Sequence, residues 1–352
     1  MMQVDEKKLQ EMIGKMLGDV GAAMGAALVL LGDKLGLYKT LASAGPLSSA
    51  ELASRTGTAE RYVREWAAGQ AAAGYINYDP ASARYSMSPE QALLLADENG
   101  PAFFPAMYEI AAAAVRDEPK VADAFRSGGG VGWHEHDACL FRGTERFFRP
   151  SYAAHLVSEW IPALEGVKEK LERGATVADV GCGHGASLIL MAQAFPKSQF
   201  CGFDYHEPSI LAARERAREA EVADRVKFER ASAKDFPGSY DLVAFFDCLH
   251  DMGDPVGAGA HVKQALKPGG TWMVVEPFAG DRTEDNFNPI GRIFYAASTT
   301  ICVPGSLSQE VGLGLGAQAG EARIREVLNA GGFSRVRLAT ATPFNLILEA
   351  RP

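Results

Sequence analysis

Residues 177–185 read Val-Ala-Asp-Val-Gly-Cys-Gly-His-Gly, and Asp204 closes the next apolar run, Gln199-Phe-Cys-Gly-Phe-Asp204. An apolar run ending at Asp179 reads as a buried strand, and the glycines at 181, 183 and 185 turn the chain into a helix. Glycine there lets backbone N–H groups come close to a ligand and supplies the backbone freedom of a tight strand-to-helix turn. Asp204 would stand beside that turn at the carboxyl edge of a sheet, where a carboxylate accepts hydrogen bonds from both hydroxyls of a ribose. The pair predicts a nucleoside-bearing cofactor. A second chemistry-bearing group is His250, in Phe246-Asp-Cys-Leu-His-Asp-Met252. If the strand ends near Phe246, His250 lies on a loop at the same edge, placed to take a proton from a poor hydroxyl nucleophile. The plainer alternative is a loop histidine bridging to Asp251 or Asp254.

Glycine spacing separates the cofactor candidates. A dinucleotide fingerprint is G-x-G-x-x-G, whereas this loop is G-x-G-x-G with Ala186 at the dinucleotide position. An acidic residue before such a loop and another ending the next strand resemble the class I S-adenosylmethionine-dependent methyltransferases. Three further segments follow in that family's order: Ala231-Ser-Ala-Lys-Asp-Phe-Pro237, Tyr240-Asp-Leu-Val-Ala-Phe-Phe-Asp247, and Lys267-Pro-Gly-Gly270 before Thr271-Trp-Met-Val-Val-Glu276. The resemblance implies an α/β, Rossmann-like, seven-stranded sheet with S-adenosylmethionine as cofactor and S-adenosylhomocysteine as product. It places Asp179, Gly181 and Gly183 under the methionine end and Asp204 on the ribose, with Tyr205 beside it. Ser232 and Ala233 fall near the adenine, and the Asp247–Cys248 loop completes the site. Cys182 and Cys248 read as small loop-lining residues rather than nucleophiles.

Composition bounds the rest. The chain has 352 residues, 47% of them hydrophobic, enough for two cores. No uninterrupted apolar run approaches bilayer length and no signal-peptide pattern opens the chain, so a cytoplasmic protein is expected. Five scattered cysteines without a C-x-x-C pair suit reduced thiols. The net charge of −9 argues against a nucleic-acid footprint over the whole surface.

Residues 1–126 follow a different logic, with an apolar-periodic helix expected over Met24–Leu41. A short helix capped by Ser48 or Ser49 comes next, then a helix over Ala59–Ala73 and a hairpin around residues 74–87. Three helices and a hairpin make a mainly α winged-helix domain. Residues 1–90 carry nine Lys/Arg against ten Asp/Glu, net −1, without the positive surplus that phosphate neutralisation needs. The pairing resembles the two-domain O-methyltransferases of plant and bacterial secondary metabolism, and bacterial, including mycobacterial, methyltransferases of unassigned substrate. In that family the module dimerises, and the Met- and Ala-rich stretch around Met12, Met16 and Met24 would suit a homodimer seam. A ligand-sensing winged-helix transcriptional regulator without turnover is the competing reading.

Residues 127–170 read as a helical connector over the active site, with Trp133, Phe148 and Tyr152 as pocket-wall candidates. His134 and His136 alternate with Glu135 and Asp137, but no third ligand is placed and no metal is expected. Residues 171–352 are the cofactor domain, and an insertion near 277–318 would shape the acceptor pocket, with Tyr295 as a contact. The resemblance makes His250 the base for methylation of a small-molecule acceptor, chiefly at oxygen. Glu321 would orient it, or only cap its helix, and Asp251 is the second orienter. Nothing in the sequence names the acceptor.

Overall fold

A computed structural model describes residues 4–100 and 102–352. The chain divides into two compact units, one ending at Ala112 and one spanning Ala113–Pro352.

The first unit opens with helix α1 (Glu6–Lys34), capped by the Asp5 carboxylate accepting from the Lys7 and Lys8 amides. The helix expected over Met24–Leu41 is broken instead. Gly36 takes φ 66°, outside the helical region, and α2 (Leu37–Ala44) begins after it, burying Leu37, Tyr38 and Leu41. At α3 (Ser49–Thr56), Ser48 and Glu51 form a reciprocal capping box. Helix α4 (Glu60–Ala72) buries Val63, Trp66 and Ala67, and the hairpin β1 (Asn77–Asp79) and β2 (Arg84–Ser86) completes a winged helix-turn-helix. Tyr38, Leu52, Val63, Trp66 and Ile76 share its core. The α4 arginines are engaged within their own helix, Arg61 with Glu65 and Arg64 with Glu60. Helix α5 (Pro89–Leu95) follows, and helix α6 (Pro105–Ser127) carries the chain from the first unit into the second.

Helix α1 departs from expectation in a second way. By length and composition it could cross a membrane, with a mean hydropathy of 1.5 over its best window, though only 6% of that window is buried. Met16, Leu17, Val20 and Met24 are all exposed on it.

The second unit contains seven strands: β3 (Thr176–Val180), β4 (Gln199–Asp204), β5 (Val226–Arg230), β6 (Tyr240–Phe246), β7 (Leu266–Pro277), β8 (Arg335–Ala341) and β9 (Asn345–Arg351). Their order is β5-β4-β3-β6-β7-β9-β8, with β9 antiparallel to both neighbours and the other pairings parallel. Alternation decides which face each residue serves. Leu242, Ala244 and Phe246 join the core on one face, while Val243 and Phe245 join the core on the other. Both faces are covered, so the central strands are apolar almost throughout. The order reverses between β3 and β6, and the carboxyl ends of strands at such a switch point open a crevice.

Candidate active site

One cavity of about 290 Å³ lies at that edge, and residues from β3, β4, β6 and the connector line it. The glycine loop follows β3 directly. Gly181 has φ +75°, and a Cβ there would come within 2.7 Å of the Cys248 sulfur. Gly185 has φ +79°, and its Cβ would press on Phe228 at 2.5 Å. These two positions are glycine for packing as well as for conformation. A Gly181→Val variant is expected to melt lower than the wild type and to lose the further stabilisation that S-adenosylhomocysteine gives, checked by melting with and without that ligand.

Asp204 ends β4 with both carboxylate oxygens occupied by backbone. Oδ2 accepts from the Gly183 amide at 2.9 Å and Oδ1 from the His206 amide at 2.8 Å. The carboxylate therefore fixes the glycine turn and retains lone pairs for a ligand. Burial raises its proton affinity, and the same backbone hydrogen bonds oppose that. Asp179 is fully buried, accepts from the Ser187 hydroxyl, and leaves Oδ1 without a partner. Burial pushes its pKa up to about 7.

All ten residues expected to touch the cofactor line this one cavity: Asp179, Gly181, Cys182, Gly183, Asp204, Tyr205, Ser232, Ala233, Asp247 and Cys248. Of the expected wall residues, Trp133, Phe148 and Tyr152 are there as well. Tyr152 stacks on Phe148 at 5.9 Å and lies against Phe246 at 5.2 Å. Tyr295 is not among the lining residues, and Ile301 and Gly305 represent the insertion instead. The helix Pro289–Ala297 buries Gly291 and Phe294, so the side of the turn bearing Tyr295 does not reach the cavity.

The histidine expectation needs correcting in its geometry. His250 is 3% exposed and does not line the cavity, whereas its neighbours Asp251 and Met252 do. Its Nδ1 stands 2.6 Å from Glu276 Oε2, and Glu276 Oε1 accepts from the Leu249 amide at 3.0 Å. On the other side of the ring, Nε2 lies 3.2 Å from Asp251 Oδ1. Burial opposes the charged ring, but the Asp251 and Glu276 carboxylates outweigh it and hold the pKa well above the ordinary histidine value. The carboxylate that contacts the ring's Nδ1 is Glu276. Glu321 pairs with Arg325 on its own helix. Sequence reasoning missed Glu276 because it ends an apolar strand, although a buried carboxylate in Met-Val-Val-Glu-Pro is itself a signal that a partner must exist.

Other missed lining residues are Phe141, Glu145, His184 and Gln309. Gln309 bridges the insertion to the histidine loop, its Oε1 accepting from the Gly253 amide at 3.1 Å and its Nε2 donating to the Asp251 carbonyl at 2.8 Å. Lys234 adds contacts to Glu310 at 2.8 Å and Asp254 at 3.4 Å. The insertion is therefore laced over one side of the cavity. His250, Asp251 and the Cys302 sulfur also come within 4.8 Å of one another. His134 and His136 are not part of that group, and His136 Nδ1 is taken by Asp117 at 2.9 Å.

Comparison with known proteins agrees with this architecture. Residues 171–310 match the "Methyltransferase domain" family and residues 22–97 match the "Rv2258c-like winged HTH domain" family. The chain is a two-domain methyltransferase architecture: a winged helix-turn-helix domain followed by a methyltransferase domain. Among curated proteins it is 36% identical over 103 residues to 27-O-demethylrifamycin SV methyltransferase of Amycolatopsis mediterranei, covering 28% of this chain and 38% of that one. It is 32% identical over 134 residues to a ubiquinone biosynthesis O-methyltransferase of Bordetella avium, covering 37% and 52%. The chain thus spans about half or less of the length of these relatives. Among solved structures, mitomycin 7-O-methyltransferase MmcR superposes with TM-score 0.69 at 21% identity, over 98% of this chain and 100% of that one. Human N-acetylserotonin methyltransferase gives TM-score 0.70 at 17% identity, over 99% of each chain.

Proposed function

We propose that the protein transfers a methyl group from S-adenosylmethionine to a small-molecule acceptor, at oxygen. The observation that carries this reading is the convergence of the glycine turn, the Asp204 carboxylate and the Asp247–Asp251 loop on one cavity at the switch point of a methyltransferase-type sheet. When bound, the cofactor supplies an electrophilic methyl on a sulfonium. Asp204 would accept from the ribose hydroxyls, Tyr205, Ser232 and Ala233 would flank the nucleoside, and Asp179, Cys182 and Cys248 would border the methionine end. Trp133, Phe148 and Tyr152 form an apolar wall that holds an acceptor in line and excludes water.

The proton of a hydroxyl acceptor goes to the Asp251–His250 pair, with Glu276 holding the far side of the ring. In this arrangement Asp251 is the group at the cavity wall and His250 the charge behind it. Two relatives whose names point to oxygen, the 27-O-demethylrifamycin SV methyltransferase and the ubiquinone biosynthesis O-methyltransferase, support oxygen as the acceptor atom. The deciding experiment incubates the protein and labelled S-adenosylmethionine with hydroxylated aromatic and polyketide-like acceptors, reading released S-adenosylhomocysteine. Acceptor-dependent release supports the reading. Cofactor binding without release for any acceptor, together with salt-dependent binding to a DNA duplex, would favour the regulator instead.

The exposed apolar face of α1 supports a homodimer formed through the first unit, and five free cysteines suit the reducing cytoplasm. Met16→Lys with Met24→Lys is expected to convert a dimer to a monomer in sedimentation velocity. A wild-type monomer in detergent-free buffer would refute the dimer, and recovery of the chain in vesicles would point to a membrane role for α1.

A further inference from the structure

Three metal-ligand side chains converge behind the cavity wall. They are the His250 ring, the Asp251 carboxylate and the Cys302 thiol, whose donor atoms all lie within 4.8 Å of one another. Two stand on the loop after β6, and the third comes from the insertion, at the end of the π-helical turn Ser298–Cys302. That turn buries Ser298, Ile301 and Cys302, so the thiol is held inside the protein. π-Helical turns interrupt α-helices frequently at functional sites.

The far side of the ring fixes what the near side must hold. Glu276 Oε2 stands 2.6 Å from Nδ1, so Nδ1 carries a proton and donates it there. A neutral ring then turns the lone pair of Nε2 toward Asp251 Oδ1, 3.2 Å away, and that buried oxygen makes no hydrogen bond. Two lone pairs at this separation need a positive centre between them, either a proton or a metal ion. The spacing suits a metal: bonds of about 2.0–2.1 Å from nitrogen and oxygen to a tetrahedral zinc set an edge of roughly 3.3 Å. Edges to sulfur are about 3.5 Å, so the Cys302 thiol closes on such an ion by moving at most about 1.3 Å. A carboxylate on the remote ring nitrogen orients a histidine ligand and raises its basicity, and Glu276 provides it.

We infer that His250 Nε2, Asp251 Oδ1 and Cys302 Sγ form a binding site for a zinc-class divalent cation, with a fourth position left to water. Nitrogen, oxygen and thiolate together select a borderline-soft ion over magnesium or calcium, which take oxygen ligands. Asp251, Ile301 and Gly305 line the cavity, which gives the ion a route in. Binding forms three bonds to the metal, and the Cys302 thiol proton and any proton shared by Nε2 and Oδ1 leave to the buffer. The site itself does not depend on which reaction the protein runs. Its consequence for rate rests on the methyl-transfer reading above: a cation on the pair occupies the place the acceptor's proton would take, so the loaded protein is inhibited.

The test is titration of the chelator-washed whole chain with Co²⁺, followed by displacement with Zn²⁺. We expect about one cobalt per chain, with a sulfur-to-cobalt charge-transfer band in the near ultraviolet and the strong visible absorption of a four-coordinate ion, both abolished by zinc. Cys302→Ser should remove the charge-transfer band, whereas Cys139→Ser, which alters a thiol outside the cluster, should keep it. Glu276→Gln, which touches the ring and not the metal, should weaken binding by about 10–100-fold. Circular dichroism and melting establish that each variant is folded. In the acceptor assay, zinc should slow release of S-adenosylhomocysteine in step with occupancy, and a chelator should restore it. No cobalt band in the wild type, or a band that persists in folded Cys302→Ser, overturns the metal site. Full rate with zinc bound overturns the inhibition alone. Absence of release from metal-free protein for any acceptor overturns the methyl-transfer reading, and the cobalt result then decides the site by itself.

Discussion

Asp204→Ala is expected to weaken S-adenosylhomocysteine binding by about a hundredfold or more while leaving the protein folded. In the proposed cofactor site the carboxylate would accept from two ribose hydroxyls, and hydrogen bonds to a charged group contribute about 1.5–3 kcal/mol each. Losing two of them removes at least about 3 kcal/mol, which is about two decades in affinity. The loss is compounded because the same carboxylate accepts from the Gly183 and His206 amides, so its removal also loosens the turn that meets the ligand. The fold should survive because Asp204 is a buried group whose charge burial disfavours. Melting curves separate the two effects. Ligand at about a hundred times its Kd stabilises a protein by about 2.7 kcal/mol, and that increment should vanish in the variant. A variant that keeps wild-type affinity would remove Asp204 from the site.

Asp251→Asn is expected to reduce the rate with a hydroxyl acceptor by about a hundredfold or more, within the range that a positioned proton acceptor contributes. His250→Gln should cost a comparable factor, because the ring supports Asp251 from behind. Glu276→Gln should act through the ring. Without its partner the imidazole loses the carboxylate that raises its pKa, and the rate profile should shift along the pH axis with KM for the cofactor little changed. Losses in the double variant Asp251→Asn with His250→Gln should be far from additive, since the two act as a unit. Glu321→Gln serves as the contrast. Its carboxylate pairs with Arg325, so its effect belongs to helix stability and should leave the pH profile where it is. A pH shift in Glu321→Gln and none in Glu276→Gln would reverse the assignment.

Much of the architecture was legible from residues. The G-x-G-x-G turn, Asp204 at a strand end and the Lys-Pro-Gly-Gly turn before an apolar strand are local signals, because backbone freedom and strand alternation are written in short stretches. The capping box at Ser48 was legible for the same reason. The single helix expected over Met24–Leu41 is two helices, because an apolar 3.6-residue rhythm runs across Gly36 while the left-handed backbone of Gly36 interrupts the helix, and Leu37, Tyr38 and Leu41 pack into the core after it.

Periodicity places His250 and Asp251 on one loop but cannot say which of two adjacent side chains faces a cavity. That choice is made by Glu276, a residue 26 positions away that draws Nδ1 inward and leaves Asp251 at the wall. Asn345 lies 98 positions from Asp247, and Tyr152 lies 95 positions before it. The sequence by itself determined the sheet, the glycine turn and the acidic residue that ends β4 beside it, all of which depend on neighbours in the chain. Only tertiary structure decided the carboxylate behind the histidine, the wall residue in front of it and the donors that aim Asp247, because long-range burial sets which charges meet.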